Sequence, residues 1–182
     1  MPVQPYIPTD DLLKLEFLTE GRDNGLDALL KEAQVTFELN KIPFAKFTFI
    51  ASNPDVDTTA DLPTDLLKKG QKIELKVTVN KKPQTLFKGF IKSVEKSISE
   101  SSTTVKIECK DQAYQLTKPS NESDDSTETF KAKLDRFFSQ ANITNKIESE
   151  GQSWEEEYIT RNPHTIPWDY LVGFLDSIGM MV

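Results

Sequence analysis

The chain carries one cysteine and one histidine, so few of its side chains suit nucleophilic or metal-based catalysis. Cys109 ends the alternating segment Val105-Lys-Ile-Glu-Cys, where a thiol serves as a small apolar side chain of a core. His164 stands between Pro163 and Pro167, which is typical of a turn or a capping residue. The sequence therefore predicts a structural role for both residues.

Acidic residues are the remaining candidates, because clustered carboxylates bind cations. Glu155, Glu156 and Glu157 fall in a predicted strand, where consecutive side chains alternate between two faces and cannot converge on one ion. Asp124 and Asp125 precede a predicted helix, and acidic residues there interact favourably with the helix dipole. The sequence motifs of hydrolases, nucleotide-binding enzymes and zinc proteases are absent. We therefore predict no enzymatic activity, no cofactor, and no catalytic, cofactor-binding or metal-binding residue.

The charge of the chain changes along its length. Residues 1–118 contain 17 basic and 17 acidic residues, whereas residues 119–182 contain 5 basic and 12 acidic residues. Because no basic region balances this acidity, specific binding to nucleic acid is disfavoured. No apolar run approaches the roughly 18 residues of a membrane helix, and the first residues do not resemble a signal peptide. We expect synthesis in the cytoplasm without a signal peptide, and no stable membrane insertion.

A polar, acidic segment at residues 119–126 separates the two parts, with the sequence Pro-Ser-Asn-Glu-Ser-Asp-Asp-Ser. It has no apolar residue that a core would bury, which favours an exposed connection. We predict a domain at residues 1–118, an acidic linker at 119–126 and the start of a second domain at 127–182. Limited proteolysis is expected to cut first in the linker.

Apolar and polar residues alternate through the first part, as in strands with one buried face. In each of five segments the apolar side chains share one face. The segments contain Ile73, Leu75, Val77 and Val79; Val105, Ile107 and Cys109; Leu13, Leu15 and Phe17; Val35, Phe37 and Leu39; and Phe47 and Phe49. Between Leu86 and Ile98 the alternation changes phase, and a β-bulge near Lys92 and Ser93 would accommodate it. These segments predict an antiparallel barrel or a two-sheet sandwich. Leu26, Leu29, Leu30 and Ala33 also fit one stripe of a short helix.

The second part has helical spacing. Phe130, Leu134, Phe137 and Phe138 predict a helix over residues 127–140, capped by Ser126 or Thr127. A short strand is predicted at residues 154–159. A second helix follows at 165–178, with Trp168, Leu171, Leu175 and Ile178 on one side and Gly179 at its end. Because the sequence closes on apolar residues, Met180, Met181 and Val182, we expect the N-terminal piece of a longer protein.

Four sequence blocks resemble one protein family. They are Asn40-Lys-Ile-Pro-Phe-Ala-Lys-Phe-Thr-Phe, Gly70-Gln-Lys-Ile-Glu-Leu, Leu86-Phe-Lys-Gly-Phe-Ile and Val105-Lys-Ile-Glu-Cys-Lys-Asp. In order and spacing they resemble the N-terminal part of VgrG, the type VI secretion spike protein, and its relatives in contractile phage baseplate hubs and extracellular injection systems. Residues 168–180 resemble the later helix of that family.

This resemblance implies a mainly β fold with an α+β C-terminal part. It consists of a tube-like β-barrel, similar to those of Hcp and tail-tube proteins, followed by a small α/β domain. It favours an extended strand before Gln34 and implies a homotrimer of full-length chains that each supply two barrels.

The function implied by the resemblance is mechanical. The protein would be a structural hub that joins the tail tube to the membrane-piercing tip and carries effectors. Its partners would be Hcp-like ring proteins and baseplate components, within an exported phage-tail-like particle. The alternative from the residues alone is an autonomous small β-barrel that binds a ligand or nucleic acid.

Overall fold

The computed structural model describes residues 14–52, 66–79, 82–119, 128–143 and 165–177. In these ranges the strands are β1 (Lys14–Thr19), β2 (Arg22–Asp23), β3 (Leu30–Thr36), β4 (Phe44–Ser52), β5 (Lys72–Val79), β6 (Lys82–Ile98) and β7 (Ser102–Asp111). The 3₁₀ helices are Leu26–Leu29 and Gln112–Thr117, and the α-helices are α1 (Phe130–Gln140) and α2 (Pro167–Ser177). The described residues form two compact units. One lies within residues 1–36 and 44–109, and the other within 37–43 and 110–182.

The first unit contains a seven-stranded sheet in the order β2-β1-β5-β6-β7-β4-β3. The pairs β1–β2, β1–β5, β5–β6 and β3–β4 are antiparallel. Among the described residues the sheet is open, with β2 and β3 at its two edges. The structure therefore confirms the mainly antiparallel β fold. Closure into a barrel is not shown in the described ranges, because β2 is only two residues long and does not pair with β3.

Alternation along the strands correctly predicts most of the residues that are buried in this sheet, although Val79 at the end of β5, which it also predicts to be buried, is 42% exposed. Ile73, Leu75, Val77, Val105 and Ile107 are all 5% exposed or less. All of them except Val77 belong to a core that also contains the buried residues Phe17, Leu26, Ala45, Phe47, Phe49, Ala51, Leu67, Phe87, Ile91 and Cys109. Burying such side chains removes apolar surface from water, and this is the main stabilising contribution to the unit.

The alternation of Val35, Phe37 and Leu39 continues beyond the strand that it predicts. Val35 packs against the core, but β3 ends at Thr36. Phe37 is 65% exposed and Leu39 is 63% exposed, so the prediction that they face the core is wrong. The chain turns after Phe37, with the amide of Lys41 donating to the carbonyl of Glu38 and Asn40 at a φ of 55°.

The segment before β3 combines both predicted conformations. Leu26–Leu29 is a 3₁₀ helix, and β3 begins at Leu30. Leu26 is fully buried, while Ala33 lies in the extended strand and is exposed. The helical stripe therefore ends before Leu30, and the extended strand before Gln34 is confirmed.

The long strand β6 is irregular at two positions. Leu75 pairs with Phe87 and Lys76 with Thr85, so Leu86 is an extra residue in β6. Further along, Ile91 is 1% exposed, whereas Ser93 and Glu95 line an outer groove beside Lys106 and Glu108. Residues of a regular strand share a face at every second position. Ile91 and Ser93 do not share one, which places a second extra residue at Lys92 or Ser93, where alternation predicts it.

The second unit contains α1, α2 and the second 3₁₀ helix. α1 begins later than predicted, because Thr129 rather than Ser126 or Thr127 caps it. The Oγ1 atom of Thr129 accepts from the amide of Ala132 at 3.3 Å. The Phe130 ring lies against Phe174 of α2, with 3.8 Å between the ring centroids. Around this contact a core forms from Leu116, Phe130, Leu134, Phe137, Ala141, Tyr170 and Leu171, with Phe138, Trp168 and Leu175 packed against it.

Several predictions concern residues outside the described ranges, and they stay predictions. They are the linker except Pro119, the strand at 154–159, and Leu13, Asp124, Asp125, Glu155, Glu156, Glu157, His164, Ile178 and Gly179.

Candidate interaction surface

Cys109 lies inside the core of the first unit, as its position in β7 predicts. It is fully buried, and burial together with the neighbouring charge of Glu108 raises the pKa of its thiol to about 12. A nucleophilic cysteine needs the opposite environment, with exposure and nearby positive charge. The described surroundings of Cys109 therefore favour the neutral, unreactive thiol.

The described ranges contain no group of three or more His, Cys, Asp or Glu side chains arranged to hold a metal ion. Within the same ranges, neither α-helix has the length and apolar character needed to cross a membrane.

A polar groove of about 320 Å³ crosses the outer face of the sheet. It spans four neighbouring strands, β6, β7, β4 and β3. We call it the outer groove and define it by the polar residues Glu32, Gln34, Lys46, Thr48, Ser93, Glu95, Lys106 and Glu108. All eight residues lie on the strand face opposite the core. Lys46 and Thr48 flank the buried residue Phe47, and Lys106 and Glu108 flank the buried residue Ile107. The other four alternate in the same way with the inward positions of β3 and β6.

Strand pairing brings the groove residues together. Gln34 pairs with Lys46 and Glu32 with Thr48 between β3 and β4. The β6–β7 turn is closed by the amide of Ser99, which donates to the carbonyl of Ser102 at 2.9 Å. An antiparallel ladder counted back from this turn places Glu95 opposite Lys106. Alternation predicts each outward position but not the strand order, so the groove itself could not be assembled from the sequence.

The charges of the outer groove are mixed. Three glutamates and two lysines line it, which gives a formal charge of −1. A phosphate backbone needs an excess of positive charge, so the groove is unfavourable for nucleic acid. Its charge pattern suits a polypeptide surface that presents both signs.

The end of the β6–β7 hairpin exposes two apolar side chains. Val94 is 39% exposed and Ile98 is 68% exposed. The ladder from the Ser99–Ser102 turn places Ile98 opposite Thr103 and Val94 opposite Ile107, which are both buried. These two side chains therefore lie on the core side of the sheet, at the end of the hairpin where solvent reaches it.

The two edges of the sheet differ in the length of strand that has a described neighbour on one side only. β2 pairs only with Leu18 and Thr19, so residues 14–17 of β1 have a described strand neighbour, β5, on one side only. At the other edge, residues 33–36 of β3 pair regularly with β4. The register shifts between Leu30 and Glu32, which makes Lys31 a bulged residue and interrupts the start of this edge.

Asp111 connects the last strand to the second 3₁₀ helix. Its carboxylate accepts from the amide of Ala113 at 2.8 Å and caps that helix. Its own amide donates to the carbonyl of Pro43 at 3.0 Å, which brings the end of β7 next to the start of β4. Burial raises the pKa of the Asp111 carboxyl, although the hydrogen bond from Ala113 opposes this shift.

The fold is shared with proteins of phage tails. The chain is similar to the 43 kDa tail protein of prophage MuSo2 from Shewanella oneidensis, with a TM-score of 0.71, 14% identity, and coverage of 92% of this chain and 49% of that one. It is also similar to a tail protein from Neisseria meningitidis MC58, with a TM-score of 0.59, 15% identity, and coverage of 92% and 46%. A Francisella PdpA-VgrG complex gives a TM-score of 0.48 at 13% identity, with coverage of 81% and 22%.

The chain spans about half the length of the two tail proteins that it matches. No curated protein matches its sequence. The two tail proteins support the tail-related fold that the sequence blocks imply, whereas the matching family model is not that of VgrG. That model covers residues 9–182, and the chain belongs to the family it describes, the Alg8 N-terminal domain.

Proposed function

We propose that this chain is part of a structural hub of a contractile injection machine, where it joins the tail tube to the membrane-piercing tip and carries effectors. The observation that carries this proposal is the fold shared with the Shewanella tail protein over 92% of the chain. The sequence blocks that resemble the VgrG hub region support it independently. In this hub the sheet of the first unit acts as the tube-like barrel, and the second unit as the start of the small α/β domain.

The features of the described residues suit a mechanical role. A hub must bind neighbouring subunits over wide surfaces, and the chain offers open sheet edges, an outer groove and an exposed hairpin end. We propose that the full-length protein is a homotrimer without enzymatic activity, and that its partners are Hcp-like ring proteins, baseplate components and effector cargo. It is assembled in the cytoplasm into a phage-tail-like particle that exports or injects it.

The alternative function is an autonomous ligand-binding β module. The outer groove favours this alternative, because a volume of about 320 Å³ is sufficient for a small ligand. Its mixed charge and the absence of an aromatic side chain among its outward residues make it a poor site for nucleic acid.

Electron microscopy and sedimentation of the full-length protein test the proposal. A hub is expected to form ring-shaped trimers that bind the end of a tail tube. A full-length protein that stays monomeric at high concentration would exclude the hub and favour the binding module. The control variants are Lys46→Glu and Lys106→Glu, which reverse two charges of the outer groove. Trimers that stay intact in these variants would exclude the groove as the trimer interface.

A further inference from the structure

The turn that follows β2 contains a chemically labile pair of residues. Only one asparagine of the sequence, Asn24, precedes a glycine. Asn24 and Gly25 are both exposed, and the Cβ position of Gly25 faces open space. Because glycine has no Cβ, its backbone nitrogen is open to contact with the side-chain carbon of the asparagine before it. This pair is therefore the asparagine site of the chain that is most prone to deamidation by its own chemistry.

Deamidation at this pair needs water and no enzyme. The nitrogen of Gly25 attacks Cγ of Asn24, and the proton of that nitrogen passes to water. The bond from Cγ to Nδ2 breaks, and Nδ2 takes up a proton and leaves as ammonia. Water then opens the five-membered imide at one of its two carbonyl carbons, which gives aspartate or isoaspartate. The net reaction consumes one water and releases one ammonia.

In the folded chain, hydrogen bonds hold both reacting groups. Nδ2 of Asn24 donates to Oγ1 of Thr19 at 2.6 Å and to the carbonyl of Arg22 at 3.3 Å. The amide of Gly25 donates to Oδ1 of Asp23 at 2.9 Å. The reaction requires the Gly25 nitrogen to give up its proton and Nδ2 to leave, so each of these three bonds opposes it.

The β1–β2 hairpin fixes the acceptors of these hydrogen bonds. Thr19 pairs with Arg22 across a two-residue turn, Glu20 and Gly21, which have the positive φ values of a type I′ turn, 50° and 74°. Thr19 is 3% exposed, so packing also holds its hydroxyl in place. β2 is two residues long and lies at the edge of the described sheet. Opening of this hairpin therefore needs far less free energy than unfolding of the whole unit.

We propose that Asn24–Gly25 is a site of spontaneous deamidation and that closure of the β1–β2 hairpin sets its rate. The modification marks chains in which this hairpin has opened. A carboxylate at position 24 only accepts hydrogen bonds, so the carbonyl of Arg22 loses the donor that Asn24 supplies. The new negative charge also lies next to Asp23 in sequence. Deamidation therefore weakens the closed hairpin that had slowed it.

Mass spectrometry of proteolytic peptides measures deamidation at Asn24 after incubation at mildly alkaline pH, with and without guanidinium chloride. The rate in denaturant divided by the rate in buffer gives a protection ratio for each variant. Thr19→Val removes the hydroxyl that accepts from Asn24, and Thr19→Ser is the matched control that keeps it. Asp23→Ala removes the acceptor of the Gly25 amide. Its control is Asp27→Ala, which removes another carboxylate from the same segment.

For the wild type we expect a protection ratio above about ten, because the reaction requires local opening. Thr19→Val and Asp23→Ala should lower this ratio several-fold, whereas both control variants should keep the wild-type value. A wild-type ratio near one, or the same ratio in all variants, would overturn the proposal.

Asn142, which precedes an isoleucine, is the internal reference in each digest. Deamidation in denaturant that is no faster at Asn24 than at Asn142 would also overturn the proposal. Circular dichroism verifies the fold of each variant. If Thr19→Val does not fold, the wild-type ratio and Asp23→Ala decide the question.

Discussion

The ring of Phe17 in β1 meets the ring of Phe47 in β4 edge to face, with 5.0 Å between the ring centroids. Three strands separate β1 from β4 in the sheet. In a flat sheet these strands would lie about 19 Å apart, at the usual spacing between neighbours. The contact therefore requires a strongly curled sheet, and Phe17 also meets Phe49 at 5.0 Å. Edge-to-face aromatic pairs of this kind are favourable beyond the area that they bury.

Replacing Phe17 should destabilise the first unit strongly. We expect Phe17→Ala to lower the free energy of unfolding by about 3–5 kcal/mol, because it leaves a cavity between β1 and β4. The matched control is Phe37→Ala, which removes the same atoms from a side chain that is 65% exposed. In dilute protein it should change stability by about 0.5 kcal/mol or less. Urea unfolding followed by circular dichroism measures both, and similar losses would contradict the curled core.

Removing the cap of α1 should weaken the second unit. Thr129→Ala deletes the hydroxyl that accepts from the amide of Ala132, and we expect a loss of about 1 kcal/mol. Ser139→Ala, at an exposed position of the same helix, is the control and should be close to neutral or slightly stabilising. Thermal unfolding of the two variants compares them, and an unchanged midpoint for Thr129→Ala would mean that another residue caps the helix.

Cys109 should be almost inert in the folded protein. Because the pKa of its thiol is raised to about 12, little thiolate exists near neutral pH, and burial blocks access. A thiol-specific reagent should react only as fast as the first unit opens, and rapidly after addition of denaturant. A cysteine introduced at Ser99, in the exposed β6–β7 turn, is the control and should react at once. Rapid labelling of native Cys109 would contradict its placement.

The Asp111 carboxyl should make stability fall as the pH rises. Burial raises its pKa in the folded state above the unfolded value, so the folded state holds the proton more tightly. This stabilising contribution is fully present below the pKa that Asp111 has in the unfolded state. It is lost as the pH rises through the pKa that Asp111 has in the folded state.

Asp111→Asn keeps an acceptor for the amide of Ala113 and cannot ionise, so its stability should lack this part of the pH dependence. Asp111→Ala is the control that also loses the cap, and it should be destabilised throughout. Urea midpoints measured from about pH 3 to about pH 7 distinguish the variants. If the urea midpoints of the wild type and of Asp111→Asn changed in parallel with pH, this would contradict the assignment of the pH dependence to Asp111.

How far the sequence predicts this fold depends on the range of the interaction involved. The inward positions of β5 and β7 follow from alternation, because Ile73 and Val105 have polar neighbours on both sides. Alternation fails at Phe37, since the same pattern continues where strand pairing has ended. It also cannot reveal closure of the sheet, which depends on whether β2 meets β3 and not on either strand alone. The start of α1 was misplaced because several possible capping residues precede Phe130, and only the hydrogen bond of Thr129 decides among them.

The candidate surface was less predictable than the core. Lys46, Glu95 and Lys106 are outward residues of separate strands, and only the strand order puts them in one groove. Catalytic motifs can be recognised locally, but a surface of this kind has no local signature.

The extra residue at Lys92 or Ser93 gives the end of the hairpin a position where the chain can change length without exchanging its two faces. Deleting that residue would restore regular alternation beyond Ile91, with Val94 still on the core side and Glu95 still in the outer groove. The strands below would keep their pairing and their buried side chains. Relatives of this chain could thus lose a single codon here and keep the same surface at the end of the hairpin.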